Sequence, residues 1–137
     1  IGIYLKNAYN HMISNNNFSN NNWAITLYDN CQNNIIDKNI ILNTRNLCIN
    51  LSNSTNNIIS NNYIDSAGTT GIYIDYHSNN NSISGNFLRN ITGLWGVVYV
   101  INSFYNNISS NIILHSSGGI YLDHASNIFL STEKSFG

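Results

Sequence analysis

The chain has 137 residues, of which 42% are hydrophobic, 12% aromatic and only 8% charged, with no Pro, 30 Asn and a formal net charge of -1. Intrinsic disorder combines few aromatics with high net charge, so this composition excludes it. Binding to a phosphate backbone needs clustered cations, and Lys6, Lys38, Arg45, Arg89 and Lys134 are scattered, which excludes a nucleic-acid partner.

The chain opens on an alternating apolar triplet, Ile3-Tyr4-Leu5. The pattern returns as Ile25-Thr26-Leu27, Ile49-Asn50-Leu51, Ile72-Tyr73-Ile74, Val98-Tyr99-Val100 and Ile120-Tyr121-Leu122. Period-two alternation predicts half-buried strands whose outer residues face in and whose middle residue faces out. A mostly small residue precedes each triplet: Gly2, Ala24, Cys48, Gly71, Val97 and Gly119. Small residues suit the crowded turn into such a strand.

Between the triplets lies a second unit: two Asn, a spacer, an aliphatic residue, two polar residues, an Asn, a spacer and another apolar residue. Asn56-Asn57-Ile58-Ile59-Ser60-Asn61-Asn62-Tyr63-Ile64 is one complete copy. Other copies run from Asn10 to Asn16 and Phe18, from Asn33-Asn34 to Asn39 and Ile41, from Asn80-Asn81 to Asn86 and Leu88, and from Tyr105-Asn106-Asn107 to Asn111 and Ile113. A repeat of about 22–26 residues marks a solenoid. Six coils are predicted, roughly residues 2–22, 23–45, 46–70, 71–95, 96–117 and 118–137. No coil can bury a core alone, but stacked about 4.8 Å apart they form continuous inward columns. One column is Ile13, Ile36, Ile59, Ile83 and Ile108; another is Phe18, Ile41, Ile64, Leu88 and Ile113. Asn16, Asn39, Asn62, Asn86 and Asn111 fall in register with them. Their amides, each both donor and acceptor, are expected to hydrogen-bond up and down the stack as a structural ladder. Asn also tolerates the left-handed backbone that the coil corners need. The dominance of Ile, Val, Tyr, Thr and Asn argues against a helical repeat.

Two stretches break the pattern. The segment Arg89 to Gly96 is about two residues longer than its counterparts and carries Leu94 and Trp95, so it reads as a lid on its own coil or as a contact surface. The last coil puts Glu133 where a ladder Asn is expected. Neither terminus shows a capping helix, so the ends are expected to meet flanking coils or other copies of the chain. The longest apolar run, around Trp95 to Ile101, is too short to insert in a membrane.

Chemistry-bearing residues are few. Asp75 and Asp123 both follow a strand triplet, two coils apart, which places their backbones about 9.6 Å apart. Inverting glycosidases hold two carboxyls about 6.5–9.5 Å apart, so this pair is the alternative catalytic assignment, although Ile101 separates them; no catalytic set is otherwise assigned. Tyr73, Tyr99 and Tyr121 form an outward column that, with Trp95, is either sheet packing or a surface for sugar rings. His11, His77, His115, His124, Met12, Cys31 and Cys48 do not group, so no metal site and no cofactor are expected. Asn-x-Ser/Thr triplets at Asn17, Asn50, Asn53, Asn80, Asn90 and Asn107 are candidate glycosylation sites, at about the frequency chance allows for this composition.

The stretch Leu51 to Ile64, followed by Gly71-Ile72-Tyr73-Ile74, resembles the CASH-type parallel β-helix repeat shared by archaeal surface-layer and adhesin-like proteins, periplasmic copper-handling proteins and polysaccharide-degrading enzymes. The resemblance covers nearly the whole chain and implies an all-β, right-handed parallel β-helix of about six coils. Residues 1–137 then form a single domain, read as a segment of a longer protein. It further implies an extracellular or cell-surface setting. The leading expectation is a non-enzymatic stalk, adhesin or assembly segment. The alternative is a carbohydrate-active protein that binds or hydrolyses a polysaccharide along the Tyr73–Tyr99–Tyr121 face, as a glycoside hydrolase if it is an enzyme.

Overall fold

A computed structural model describes residues 1–137. Each coil contributes three short strands. They are β1 (Ile3–Lys6), β2 (Met12–Ser14) and β3 (Asn17–Ser19) in the first coil, and β4 (Ile25–Tyr28), β5 (Ile35–Asp37) and β6 (Ile40–Thr44) in the second. The third has β7 (Leu47–Ser52), β8 (Ile58–Ser60) and β9 (Tyr63–Ala67), and the fourth β10 (Thr70–Asp75), β11 (Ser82–Ser84) and β12 (Phe87–Arg89). The fifth has β13 (Val98–Ile101), β14 (Asn107–Ser109) and β15 (Ile112–Leu114), and the sixth β16 (Ile120–Asp123), β17 (Phe129–Ser131) and β18 (Lys134–Phe136). Corresponding strands pair in parallel, giving three six-stranded sheets ordered β1-β4-β7-β10-β13-β16, β2-β5-β8-β11-β14-β17 and β3-β6-β9-β12-β15-β18. The architecture is therefore an all-β parallel solenoid of six coils, as the repeat implies.

The registers follow the apolar columns. Ile13 pairs with Ile36, Ile36 with Ile59, Ile59 with Ile83 and Ile83 with Ile108. Phe18, Ile41, Ile64, Leu88 and Ile113 stack likewise in the third sheet. These side chains belong to one core cluster of 24 buried residues running along the solenoid axis. Each fully buried Ile or Leu contributes about 1.5–3 kcal/mol of apolar transfer, but only because the coils above and below close its column.

The corners use one device three times: a residue with left-handed backbone followed by a side chain that hydrogen-bonds to the next coil. Before Asn16, Asn39, Asn62, Asn86, Asn111 and Glu133 stand Asn15, Lys38, Asn61, Gly85, Ser110 and Thr132, all with positive φ. The ladder Asn themselves do not adopt that conformation, which corrects the expectation that one residue does both jobs. A side chain turned in to bond its neighbour serves the ladder; the residue before it absorbs the turn. Within the ladder, Asn39 Nδ2 donates to Asn62 Oδ1 (3.0 Å) and Asn62 Nδ2 to Asn86 Oδ1 (2.9 Å). Each Oδ1 also accepts the backbone N–H of the preceding rung, as in Asn39 N to Asn62 Oδ1 at 3.0 Å. Glu133 ends the ladder with a carboxylate that accepts from Asn111 N (3.2 Å) and Nδ2 (3.3 Å).

A second Asn ladder runs through Asn34, Asn57, Asn81 and Asn106, with Asn34 Nδ2 donating to Asn57 Oδ1 (3.0 Å) and Asn57 Nδ2 to Asn81 Oδ1 (3.2 Å). A Ser ladder occupies the third corner, where Ser54 N donates to Ser78 Oγ (3.0 Å) and Ser78 N to Ser103 Oγ (3.1 Å). His77 and His124 are the left-handed residues of this corner, in the column of Asn7, Asn30, Asn53 and Asn102. They are turn residues. Cys31 and Cys48 are buried and unpaired, and burial pushes the Cys48 thiol up to about 12. No helix is long and apolar enough to cross a membrane, a statement that says nothing of a β-barrel.

Candidate functional site

The outward surface of the first sheet carries a column of Tyr side chains and the two strand-end acids Asp75 and Asp123. Register places Tyr4, Thr26, Asn50, Tyr73, Tyr99 and Tyr121 in one column, and Lys6, Tyr28, Ser52, Asp75, Ile101 and Asp123 two residues further along. Asp75 and Ile101 align through the neighbouring Ile74–Val100 pair.

The long segment after β12 folds against this face. Gly93 lies so close to the backbone of Thr69 that an added Cβ would overlap the Thr69 carbonyl oxygen, so only Gly fits. From the next coil, the Ser117 hydroxyl donates to the Gly93 carbonyl at 2.8 Å. Pinned on both sides, the segment presents Leu94, 96% exposed, at its tip and lays Trp95 over the sheet. The Trp95 and Tyr99 rings are parallel, with centroids 6.1 Å apart. Tyr73 and Tyr121 meet Tyr99 edge-on at 5.4 and 5.1 Å.

Of the two readings of the Tyr73–Tyr99–Tyr121 column, sheet packing and a surface for sugar rings, this geometry favours packing for Tyr99. Tyr99 is only 5% exposed, because Trp95 covers its face and its two column neighbours cover its edges. Its hydroxyl donates to Asp123 Oδ2 at 3.2 Å. Tyr121 is exposed but lines none of the clefts described below.

The accessible space lies to the other side of Trp95. An open cleft of ≈ 550 Å³ runs between Trp95 and Trp23, with Tyr73 and the edge of Tyr99 in its floor and Asn46, Leu47, Thr69 and Thr70 along it. Tyr73 and Ile101 also border a smaller cleft of ≈ 170 Å³ that contains Asp75, Tyr76 and Asn102. A third, of ≈ 400 Å³, opens among Tyr28, Asp29, Ser52, Asn53, Tyr76 and His77. Trp23, Leu47, Thr69 and Thr70 were not expected at a site. They lie in or beside the turn that enters the first strand of each coil, where spacing varies. The available signal was that both Trp of the chain stand just before such a strand.

Asp75 is 9% exposed, and its Oδ1 has no hydrogen-bond partner. Burial raises its pKa above the ordinary carboxylate range, opposed in part by the Ser52 hydroxyl. Burial, and then the Asp75 charge, push the Tyr73 phenol up to about 12, so it remains an O–H donor at any ordinary pH. Asp123 is tied instead to Tyr99 and to His124 Nδ1 (2.6 Å). The two carboxyls do not converge on one cleft, and the aliphatic Ile101 stands between them. Asp123 lines none of the three clefts. No group of three or more His, Cys, Asp and Glu comes together to hold a metal. Of the six Asn-x-Ser/Thr triplets, Asn50 is buried in the sheet and cannot accept a glycan in the folded chain, which removes it as a candidate; Asn17, Asn53, Asn80 and Asn107 are exposed and Asn90 is half-buried.

A carboxyl whose pKa is raised on folding holds its proton more tightly in the folded chain. Its contribution to stability therefore falls as pH rises from the ordinary carboxylate range through the raised folded value. Asp75→Asn removes that loss: its Tm should exceed the parent's at neutral pH, and the gap should close toward about pH 4. Thermal melts across pH check this. A gap independent of pH would mean that ionisation is not the cause.

Comparison with known proteins fits this architecture. Over 98% of its length the chain superposes on 42% of a periplasmic alginate epimerase AlgG, with TM-score 0.78 and 18% identity. It likewise superposes over 98% of its length on 44% of a DFA-IIIase from Arthrobacter chlorophenolicus A6 without its lid, with TM-score 0.59 and 14% identity. The chain thus spans less than half the length of either, and at these identities the likeness is one of fold. By sequence, no curated protein matches it. Residues 1–97 match the family model described as a right handed beta helix region, and with its three parallel sheets and stacked corner ladders the chain belongs to that right-handed β-helix family.

Proposed function

We propose that the outward face of the first sheet binds a saccharide chain. The observation that carries this reading is the ≈ 550 Å³ cleft walled by Trp23 and Trp95, with Tyr73 between them and the Asn46 amide beside them. A sugar ring has an apolar C–H face and a rim of hydroxyls. It suits aromatic side chains set among amides and hydroxyls on a rigid surface. The similarity of fold to an alginate epimerase adds support. Hydrolysis by Asp75 and Asp123 has no such support, so binding is the activity proposed. A glycan array followed by titration of each hit, with a reducing-sugar assay alongside, tests it. Saturable binding without release of reducing ends is the expected result; an array without hits would overturn the reading.

A second reading, that the chain is an assembly segment within a stalk or adhesin, draws on its repeat architecture. Each coil is held to the next by the same parallel pairing and corner ladders, so the solenoid can be extended by further coils of the same polypeptide or by a second copy stacked head to tail. Sedimentation of residues 1–137 over a range of concentrations should show mass rising with concentration. A monomer at every concentration would rule out stacking between copies.

A further inference from the structure

Resting on the saccharide-binding reading, we infer that the cleft between Trp23 and Trp95 takes a neutral saccharide and discriminates against polyuronates. None of the residues lining it carries a charge. Its continuation past Tyr73 and Ile101 leads to Asp75, and Asp29 borders the next cleft along the same face. None of the chain's cations lines the cleft. Lys6 faces Asp29 at 3.6 Å, Lys38 faces Asp37 at 3.7 Å, and Arg89 bonds Asp65 on the third sheet at 2.9 Å. Neither Arg45 nor Lys134 lines any of the three clefts.

A uronate residue laid on this surface would lose water from its carboxylate and gain no cation in return, next to an acid. Like charges juxtaposed across an interface oppose binding. A neutral sugar brings hydroxyl donors instead. The Asn46 amide on the cleft can donate to and accept from such hydroxyls without any charge. Aromatic walls and a lining without charge, with an acid on the adjoining cleft, together specify a hydroxyl-rich, uncharged ligand.

The test is calorimetric titration of the full chain with cello- and manno-oligosaccharides and with oligomannuronate and oligogalacturonate of matched length, at low and high salt. The expected result is saturable binding of a neutral oligosaccharide, at least about tenfold tighter than either uronate and nearly insensitive to salt. Uronate binding as tight as, or tighter than, neutral binding would overturn the inference while leaving the saccharide reading intact. Absence of binding by all four probes would overturn both. Neutral binding unchanged in both Trp23→Ala and Trp95→Ala would show that the ligand sits elsewhere, and would overturn the assignment of this cleft.

Discussion

Asn62→Ala is expected to cost about 3 kcal/mol of stability. Asn62 is buried at mid-ladder. Its Oδ1 accepts from Asn39 N and Nδ2, both at 3.0 Å, and its Nδ2 donates to the Ile36 carbonyl (3.0 Å) and to Asn86 Oδ1 (2.9 Å). Asn39 Nδ2 keeps the Ile13 carbonyl and Asn86 Oδ1 keeps Asn62 N–H, but Asn39 N–H and the Ile36 carbonyl lose these bonds inside the core. Each buried group left without its partner costs about 1–3 kcal/mol. Because coils are held by their nearest neighbours, the loss weakens two interfaces at once. Asn16→Ala is the control. Asn16 is exposed on the first coil, so the same chemical change there should cost below about 1 kcal/mol. Denaturant and thermal unfolding of both variants check this, and equal stability of Asn62→Ala and parent would refute the ladder's role.

Trp95→Ala should separate binding from folding. Trp95 is 60% exposed and walls the cleft, so its removal should weaken saccharide binding about tenfold or more, as expected for an aromatic anchor. Stability should fall by only about 1 kcal/mol, chiefly from uncovering Tyr99. Tyr99→Ala should behave differently. At 5% exposure Tyr99 is structural, and its truncation should cost about 3 kcal/mol, making any lost binding secondary to the damaged sheet. Titration and melting of the two variants side by side decide between these assignments. Loss of binding in Tyr99→Ala with an unchanged Tm would place the sugar on Tyr99 instead.

Most of what holds the chain together was legible in its order of residues. The inward columns, the coil count and the ladder from Asn16 to Asn111 all follow from a period that recurs with little change, since identical positions in stacked coils must meet. The second ladder, through Asn34, Asn57, Asn81 and Asn106, was visible in the same repeat but went unassigned. The first Asn of each pair there, such as Asn33 or Asn56, takes the left-handed turn, and only the second bonds. Two residues of one type with different duties look alike until the backbone is traced.

The functional face was far less legible, for a physical reason. Alternation states which side of a strand faces out, and it correctly placed Tyr73, Tyr99 and Tyr121 outward. It is silent on what a neighbouring turn lays over that side. Trp95 reaches the sheet because Gly93 admits the Thr69 backbone and Ser117 holds the segment from the next coil. Trp23 reaches the same cleft from three coils earlier. By itself the sequence determined the solenoid, its register and its core, because these depend on residues one period apart. The tertiary structure alone decided that Tyr99 is buried, that Asp75 but not Asp123 borders a cleft and that two Trp wall one cleft, because these depend on turns of unequal length whose paths no period dictates.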